Sequence, residues 1–243
     1  MALPILETAS YELTLPSIDQ KIKYRPFLVK EEKVLLMAME SGDNKQITEA
    51  LKQIVRACTF ESFNVEALPT FDLEYIFLNI RAKSVGEIAK INILCPDDKK
   101  TYAKVEVDLT KVDVQVDDEH SNEIKINDTV TLIMKYPTIG TVDPTEDAEG
   151  MKTKQLFDVI ANSVHEIWDG ETMHKASDYK REELMAFIES MSTKNFEDLQ
   201  KFFTTMPKLQ HECEVENPKT GVKSKVKLQG LTDFFVSASP MTT

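Results

Sequence analysis

Two cysteines and a histidine are the residues of this chain that could form a metal site. Cys95 stands before the residues PDDKK, and Cys213 has His211 two residues before it. Zinc prefers four thiolate or imidazole ligands, usually two cysteines from each of two turns at C-x₂₋₄-C spacing. Here Cys95, His211 and Cys213 supply three ligands, with Asp97 as a fourth candidate, and the second cysteine of each turn is missing. We therefore expect no bound metal and no other cofactor, and interpret these residues as remains of a lost zinc turn or as small buried side chains.

Other catalytic constellations are missing from the sequence. The four histidines are scattered, and none lies in a Gly-x-Ser-x-Gly motif or beside a cysteine in a catalytic context. A nucleophilic site needs a nucleophile, a base and an orienting group within reach of one another. The glycine-rich phosphate-binding motifs are also absent. We interpret His120 and His174 as exposed loop residues and predict that the protein is not an enzyme. A metal-dependent hydrolase built on the zinc candidates is the enzymatic alternative, and it would require stoichiometric zinc.

The sequence predicts that Cys95 lies at the end of a strand in a long hairpin. An apolar helix that begins at Phe71 precedes strands at Glu87–Leu94 and Tyr102–Leu109. Proline has no N–H to donate to a sheet and aspartate favours turns, so pairing should stop at Cys95, before Pro96.

The same order of elements is predicted near the C-terminus. A helix at Phe196–Met206 precedes strands at Leu209–Val215 and Val222–Leu228, which are joined by the turn ENPKTG. Cys213 is predicted to mark the end of the first of these strands, as Cys95 does in the earlier hairpin. The lysines of Lys219–Lys227 alternate, which is typical of the solvent face of an edge strand, although a local basic patch is the alternative.

Upstream segments extend this similarity. Tyr11–Pro26 and Asn122–Pro137 both read as alternating strands around a polar turn that close on Lys-Tyr-Arg-Pro or Lys-Tyr-Pro. We predict an α+β fold made of two divergent copies of one unit: a β-hairpin, helices and a second β-hairpin with a degenerate zinc-ribbon-like turn. The predicted domains are residues 1–121 and 122–243, with the acidic segment Lys111–Ser121 at the boundary.

Helical periodicity predicts helices whose apolar faces pack inward, with Cys58, Ile160, Ile188, Leu199 and Phe202 among the core residues. Gly42 should end the first of these helices, and Thr70 should cap the Phe71 helix. Thr138–Thr153 is rich in turn formers and reads as a loop or as the lead-in to a helix. Helices are predicted at Val29–Met39, Lys45–Cys58, Lys154–Val164 and Lys180–Met191. A small hairpin is predicted at Glu166–Met173.

Composition limits the classes of partner. The 243 residues are 42% hydrophobic and carry a net charge of −12, a field that repels phosphate, so nucleic acid and anionic membrane surfaces are not expected partners. The N-terminus MALPILETAS does not resemble a signal peptide, and no stretch approaches the roughly 20 apolar residues of a membrane span. Three cysteines suit a reducing cytosol. Several large apolar residues at element ends predict protein–protein contacts: Met37, Met39, Phe60, Phe63, Trp168, Phe234 and Phe235.

Several segments together resemble one protein family. They are LPILETASYELTLPS, KIKYRPFLVKEEKVLLMAMES, FDLEYIFLNIRAKSVGE followed by CPDDKKTY, and the closing GLTDFF. Over nearly its whole length the chain is similar to the baseplate hub subunit family of T4-like contractile-tailed bacteriophages, and Phe71–Glu87 is the most specific part. Some members of this family keep fuller cysteine turns, whereas this chain keeps one cysteine in each, so the resemblance carries over no zinc site.

The resemblance implies a late phage protein that assembles the central hub of the tail baseplate. It implies hub and tail proteins as partners, with the tape-measure protein as a further candidate and homo-oligomers left open. The implied location is the host cytoplasm during assembly and then the virion tail. KIKYRPFLVKEEK also resembles the start of tail assembly chaperones. Such a chaperone would hold tape-measure or hub proteins and be absent from the mature virion.

Overall fold

The computed structural model describes residues 7–139 and 153–235 of the chain. Their strands and helices occur mostly in separate runs along the sequence, and the strand pairs are antiparallel, as is typical of an α+β protein, which confirms the predicted fold class. The helices are α1 (Val29–Ser41), α2 (Asn44–Cys58), α3 (Thr70–Val85), α4 (Thr153–Ser163), α5 (Arg181–Glu189), α6 (Thr193–Thr205) and α7 (Gly230–Phe235).

The strands of the described residues pair in antiparallel fashion in four small sheets, with the orders β1-β2, β3-β4, β11-β10-β5 and β6-β7-β8-β9. They are β1 (Tyr11–Leu15), β2 (Gln20–Tyr24), β3 (Ile88–Leu94), β4 (Tyr102–Asp108), β5 (Asp113–Gln115), β6 (Glu123–Lys125), β7 (Thr131–Met134), β8 (Val164–Trp168), β9 (Met173–Lys175), β10 (Lys208–Glu216) and β11 (Lys223–Gln229).

The chain forms two compact units that differ from the predicted division at residues 121 and 122. The first unit contains the chain up to Gln115 and from Lys208 onward, and the second contains Val116–Pro207. The hairpin β10–β11 belongs to the first unit because Lys208–Gln210 of β10 pair with Asp113–Gln115 of β5. The acidic segment that was expected to separate two sequence copies therefore contributes a strand to the first unit.

Helix α3 is the centre of the first unit. Its apolar residues occur on all sides rather than along one stripe, which is the pattern of a helix surrounded by protein. Leu73, Ile76, Leu78 and Ile80 are all fully buried. Helix α2 presents the predicted apolar face to the same core, and Cys58 on that face is 0% exposed.

An ion pair connects the first hairpin to the helices that follow it. Nη2 of Arg25 lies 2.9 Å from Oε1 of Glu31, and both side chains are largely buried. Oε2 of Glu31 accepts a hydrogen bond of 2.8 Å from the backbone N–H of Leu28, at the beginning of α1. The backbone N–H of Arg25 donates to the carbonyl oxygen of Cys58 at 2.9 Å, at the end of α2. The segment after β2 is thus held against both helices.

The second unit has its own core between the four-stranded sheet and its helices. The predicted inward faces are confirmed, because α4, α5 and α6 all contribute buried residues to the cluster that contains Leu132 and Met134 of β7. The fully or almost fully buried members include Leu132, Ile160, Ile188, Leu199 and Phe202.

Helix ends were predicted less well than helix faces. Gly42 does end α1 in the left-handed conformation, with φ of 64°, as predicted. The prediction that Thr70 caps α3 is wrong, because Thr70 is already helical and the extended Pro69 precedes it. The carbonyl oxygen of Pro69 accepts the first N–H groups of this helix, from Asp72 and Leu73.

Two further predictions concern a loop and membrane-spanning helices. The predicted loop Thr138–Thr153 lies almost entirely outside the described residues. Among the residues that are described, no helix is both long and apolar enough to span a membrane.

Candidate functional site

The first long hairpin ends in a turn that its aspartates organise. The N–H of Cys95 donates to the carbonyl oxygen of Thr101 at 2.8 Å, which closes the hairpin after β3, as predicted. Oδ1 of Asp98 accepts the N–H groups of Lys100 and Thr101, and its Oδ2 accepts the hydroxyl of Thr101 at 2.6 Å. These hydrogen bonds stabilise the charged carboxylate and hold the pKa of Asp98 well below its usual value.

The second long hairpin ends in a turn that Asn217 organises. The N–H of Asn217 donates to the carbonyl oxygen of Val222 at 2.9 Å, and the N–H of Gly221 donates back to Asn217 at 2.8 Å. Oδ1 of Asn217 accepts the N–H of Lys219 at 2.9 Å. Gly221 has a φ of 71°, which glycine adopts without a steric penalty.

The two turns are joined directly through Asp97. The amide Nδ2 of Asn217 donates to both carboxylate oxygens of Asp97, at 2.9 and 3.0 Å. The hydroxyl of Thr220 donates to Oδ2 of Asp97 at 2.6 Å. The hydrogen bonds from Thr220 and Asn217 lower the pKa of Asp97. We call Cys95–Thr101 and Asn217–Val222, linked in this way, the joined turns.

The zinc candidates do not form a comparable cluster. Cys95 is buried next to the first turn, as expected. Cys213 lies within β10, which continues to Glu216, so the prediction that it ends its strand is wrong. Its Sγ lies 3.7 Å from the carbonyl oxygen of Val226, and His211 lies two positions earlier on the same half-buried face. Across residues 7–139 and 153–235, no group of three or more His, Cys, Asp or Glu side chains could hold a metal ion.

The cysteine thiols are in environments that favour the neutral form. Burial raises the pKa of Cys58 to about 11, and it also raises the pKa values of Cys95 and Cys213. A thiolate is the reactive and metal-binding form of cysteine. None of these environments activates a nucleophile.

Two histidines were wrongly interpreted as exposed loop residues. The ring of His120 is half-buried between Tyr136 and Phe202, and its Nδ1 lies 3.0 Å from Oγ1 of Thr205. Burial lowers the pKa of His120. The ring of His174 lies between the hydroxyl of Tyr179, at 2.6 Å from Nδ1, and Oδ2 of Asp169, at 2.7 Å from Nε2. Phe202 lies far along the chain from His120, so the local sequence did not reveal this contact.

The alternating lysines near the C-terminus have the structural role that was predicted. β11 is the edge strand of its three-stranded sheet, and its lysines are exposed. Lys223 and Lys225 form ion pairs with Glu214 and Glu212 on the neighbouring strand, at 2.9 and 2.8 Å. Charged side chains on an edge strand discourage pairing with other chains.

Some of the large apolar residues that predicted contact surfaces are exposed. Met37 is 59% exposed and Phe60 is 55% exposed, whereas Phe234 is fully buried in the first unit. On α1, Val29 and Leu36 lie on the same face as Met37, on the side opposite the buried Ala38. Exposed apolar groups that share a helix face are a common feature of protein–protein contact surfaces.

Comparison with known proteins identifies a family for this chain. A family model described as "T4 bacteriophage base plate protein" matches residues 8–236. No curated protein matched. No solved structure matched either. The family match covers the first unit and the second, including both members of the joined turns, and it supports a structural role in the phage baseplate. The chain therefore belongs to the T4 bacteriophage base plate protein family.

Proposed function

We propose that this chain is a structural subunit of the central hub of the phage tail baseplate, and that it acts by binding other hub and tail proteins. The observation that carries this proposal is the family match over residues 8–236. The exposed apolar face of α1, with Val29 80% exposed, is consistent with a role in protein binding. The protein would be made in the host cytoplasm and then incorporated into the tail.

We also propose that the two long hairpins derive from one repeated unit that once carried zinc-ribbon-like turns. Each hairpin follows a helix, α3 or α6, and each ends in a turn in which an Asp or Asn side chain accepts backbone N–H groups. Relatives with a C-x₂-C spacing in both turns would support this origin. A family in which no member has cysteine pairs in either turn would contradict it.

A tail assembly chaperone is the second candidate. The run KIKYRPFLVKEEK, which resembles the start of such chaperones, forms β2 and the beginning of α1. A chaperone would bind the tape-measure protein or hub proteins and leave before the virion is complete. Presence in the mature particle separates the two candidates.

The test combines two measurements on phage-infected cells. A tagged copy of the protein is purified from the cells under mild conditions, and its partners are identified by mass spectrometry. Purified virions are then searched for peptides of the same protein. Hub proteins in the first measurement and peptides in the second would support the hub subunit. Recovery of tape-measure or hub proteins without virion peptides would support the chaperone, and recovery of no tail protein would contradict both.

A further inference from the structure

The end of the long hairpins that carries the joined turns exposes an aromatic side chain among apolar neighbours. Tyr102 is 62% exposed, and Leu94, its partner across the β3–β4 ladder, is 42% exposed. Val222 is the last residue of the second turn and is 46% exposed. Because Leu94 and Tyr102 are the last pair of the ladder, their side chains lie together on the outer face beside the first turn.

Basic side chains dominate the exposed surface around this pair. Lys99 and Lys100 are exposed in the first turn, Lys104 is exposed on β4, and Lys219 is exposed in the second turn. The two aspartates of the first turn accept the hydrogen bonds that shape and join the turns. Four lysines and two aspartates give this region a net charge of +2.

The positive region contrasts with the rest of the protein. Residues 116–207 contain nine basic and nineteen acidic side chains, a net charge of −10. The complete chain has a net charge of −12. Although the net charge of the protein is negative, a basic surface attracts an acidic partner locally. Complementary charges accelerate and orient such an encounter.

The joined turns give this surface a fixed shape. Asp97 links the two hairpin ends through Asn217 and Thr220, and Asn217 is 1% exposed. A surface that is ordered before binding loses less conformational entropy when a partner docks. Tyrosine is among the residues that contribute most to binding energy in such interfaces, because it buries a large area with few rotatable bonds.

From these observations we propose that the joined turns, together with Leu94, Tyr102 and Lys104, form a docking surface for an acidic segment of a partner protein. Tyr102 is the central anchor, and the lysines contact the partner's carboxylates. This proposal depends on the proposed function in one respect, which is that the partner is another phage tail protein. A nucleic acid fits less well, because a single exposed tyrosine does not form a series of base-stacking platforms.

The test is photo-crosslinking in phage-infected cells. p-Benzoylphenylalanine replaces Tyr102 in the full-length protein, and a matched protein carries it in place of Ile18, which is 60% exposed in the same unit. The cells are irradiated, and the crosslinked peptides are identified by mass spectrometry. We expect position 102 to crosslink to an acidic segment of a phage tail protein, with a yield at least about tenfold above that of position 18, because only position 102 would lie against the partner.

A charge-reversal series tests the role of the lysines. Lys99→Glu, Lys100→Glu and Lys219→Glu are combined in the position-102 protein, and the matched control combines Lys21→Glu, Lys45→Glu and Lys111→Glu, which are exposed elsewhere in the first unit. Both proteins should keep the parental thermal unfolding midpoint. Only the first triple change should lower the crosslinking yield, by about tenfold or more.

Several outcomes would overturn the proposal. They are no crosslink at position 102, equal yields at positions 102 and 18, a crosslink to nucleic acid or to a neutral or basic segment, and a yield that the first triple change does not lower. A crosslink to an acidic host protein would support the docking surface but contradict the tail partner. Presence in virions without a crosslink at position 102 would leave the proposed function intact and contradict this inference alone.

Discussion

The side chains of Asn217 and Asp97 form a two-point contact between turns that are 120 residues apart in the sequence. Nδ2 of Asn217 lies 2.9 Å from one carboxylate oxygen of Asp97 and 3.0 Å from the other. The whole second unit lies between these two residues in the sequence. The contact therefore joins the two parts of the first unit that the second unit separates in the sequence. In a zinc ribbon, a metal ion joins two cysteine turns in the equivalent region.

The first prediction concerns this contact. Asn217→Ala removes the donor to Asp97 and the acceptor for the N–H of Lys219, so it should lower the free energy of unfolding by about 1–3 kcal/mol, the typical effect of losing buried hydrogen bonds. Chemical denaturation measures this change. In a double-mutant cycle with Asp97→Ala, the two changes together should destabilise less than the sum of the single changes. Strict additivity would contradict the contact.

The second prediction concerns a buried carboxyl group. Glu74 on α3 is 7% exposed, and its Oε1 lies 3.4 Å from the N–H of Leu231 at the beginning of α7. Burial raises the pKa of Glu74 to about 7, against an ordinary value of 4.5. The folded state thus favours the protonated form. The stability that Glu74 contributes is complete below pH 4.5 and is lost as the pH rises through 7.

Glu74→Gln should remove this dependence on pH. Between pH 5 and pH 8, the free energy of unfolding of the wild type should fall by roughly 1–3 kcal/mol relative to that of the variant, because each unit of pKa difference corresponds to about 1.4 kcal/mol. Denaturation curves at several pH values give the comparison. Parallel pH profiles for the two proteins would rule out a titrating Glu74.

The third prediction concerns the pair of Arg25 and Glu31. Glu31→Ala leaves the guanidinium of Arg25 largely buried without its carboxylate and should destabilise the first unit by about 3 kcal/mol. Replacing both residues, as Arg25→Met with Glu31→Leu, should recover much of this loss. The matched control is the exposed pair of Lys90 and Glu106, whose removal should change the unfolding free energy little. An equally small effect of Glu31→Ala would contradict the buried pair.

Much of the fold follows from patterns within single elements. The apolar period predicts α2 and its buried Cys58, and the alternation in Tyr11–Tyr24 predicts the first hairpin. These patterns succeed because each depends on residues two to four positions apart, which one helix or strand brings to one face. Gly42 was found for a similar local reason, since its position after an apolar helix predicts a left-handed C-cap.

Contacts between distant residues could not be predicted in this way. Nothing near Asn217 in the sequence indicates that Asp97 is its partner, and a polar turn predicts solvent exposure rather than a side chain that is 1% exposed. The same applies to the pairing of β5 with β10, which places the last hairpin in the first unit. A three-residue strand such as Asp113–Gln115 carries too short an alternation to be recognised, and its register depends on a partner far along the chain.

The fourth prediction concerns thiol reactivity and metal content. In the folded protein at neutral pH, Cys213 should react with a thiol reagent before Cys58 and Cys95, because it is half-buried and the other two are buried. All three should react slowly, since burial raises their pKa values. The purified protein should contain far less than one zinc per chain. Stoichiometric zinc that protects Cys95 and Cys213 from the reagent would instead favour the metal-dependent alternative.

We propose that this member of the T4 bacteriophage base plate protein family is a permanent structural subunit of the baseplate. The most direct measurement is quantitative mass spectrometry of purified virions and of baseplates isolated from them, with isotope-labelled peptides of this protein as standards. We expect a fixed number of copies per particle, equal in virions and in isolated baseplates. Abundant protein in infected cells without detectable copies in either particle would contradict the structural role and favour an assembly chaperone.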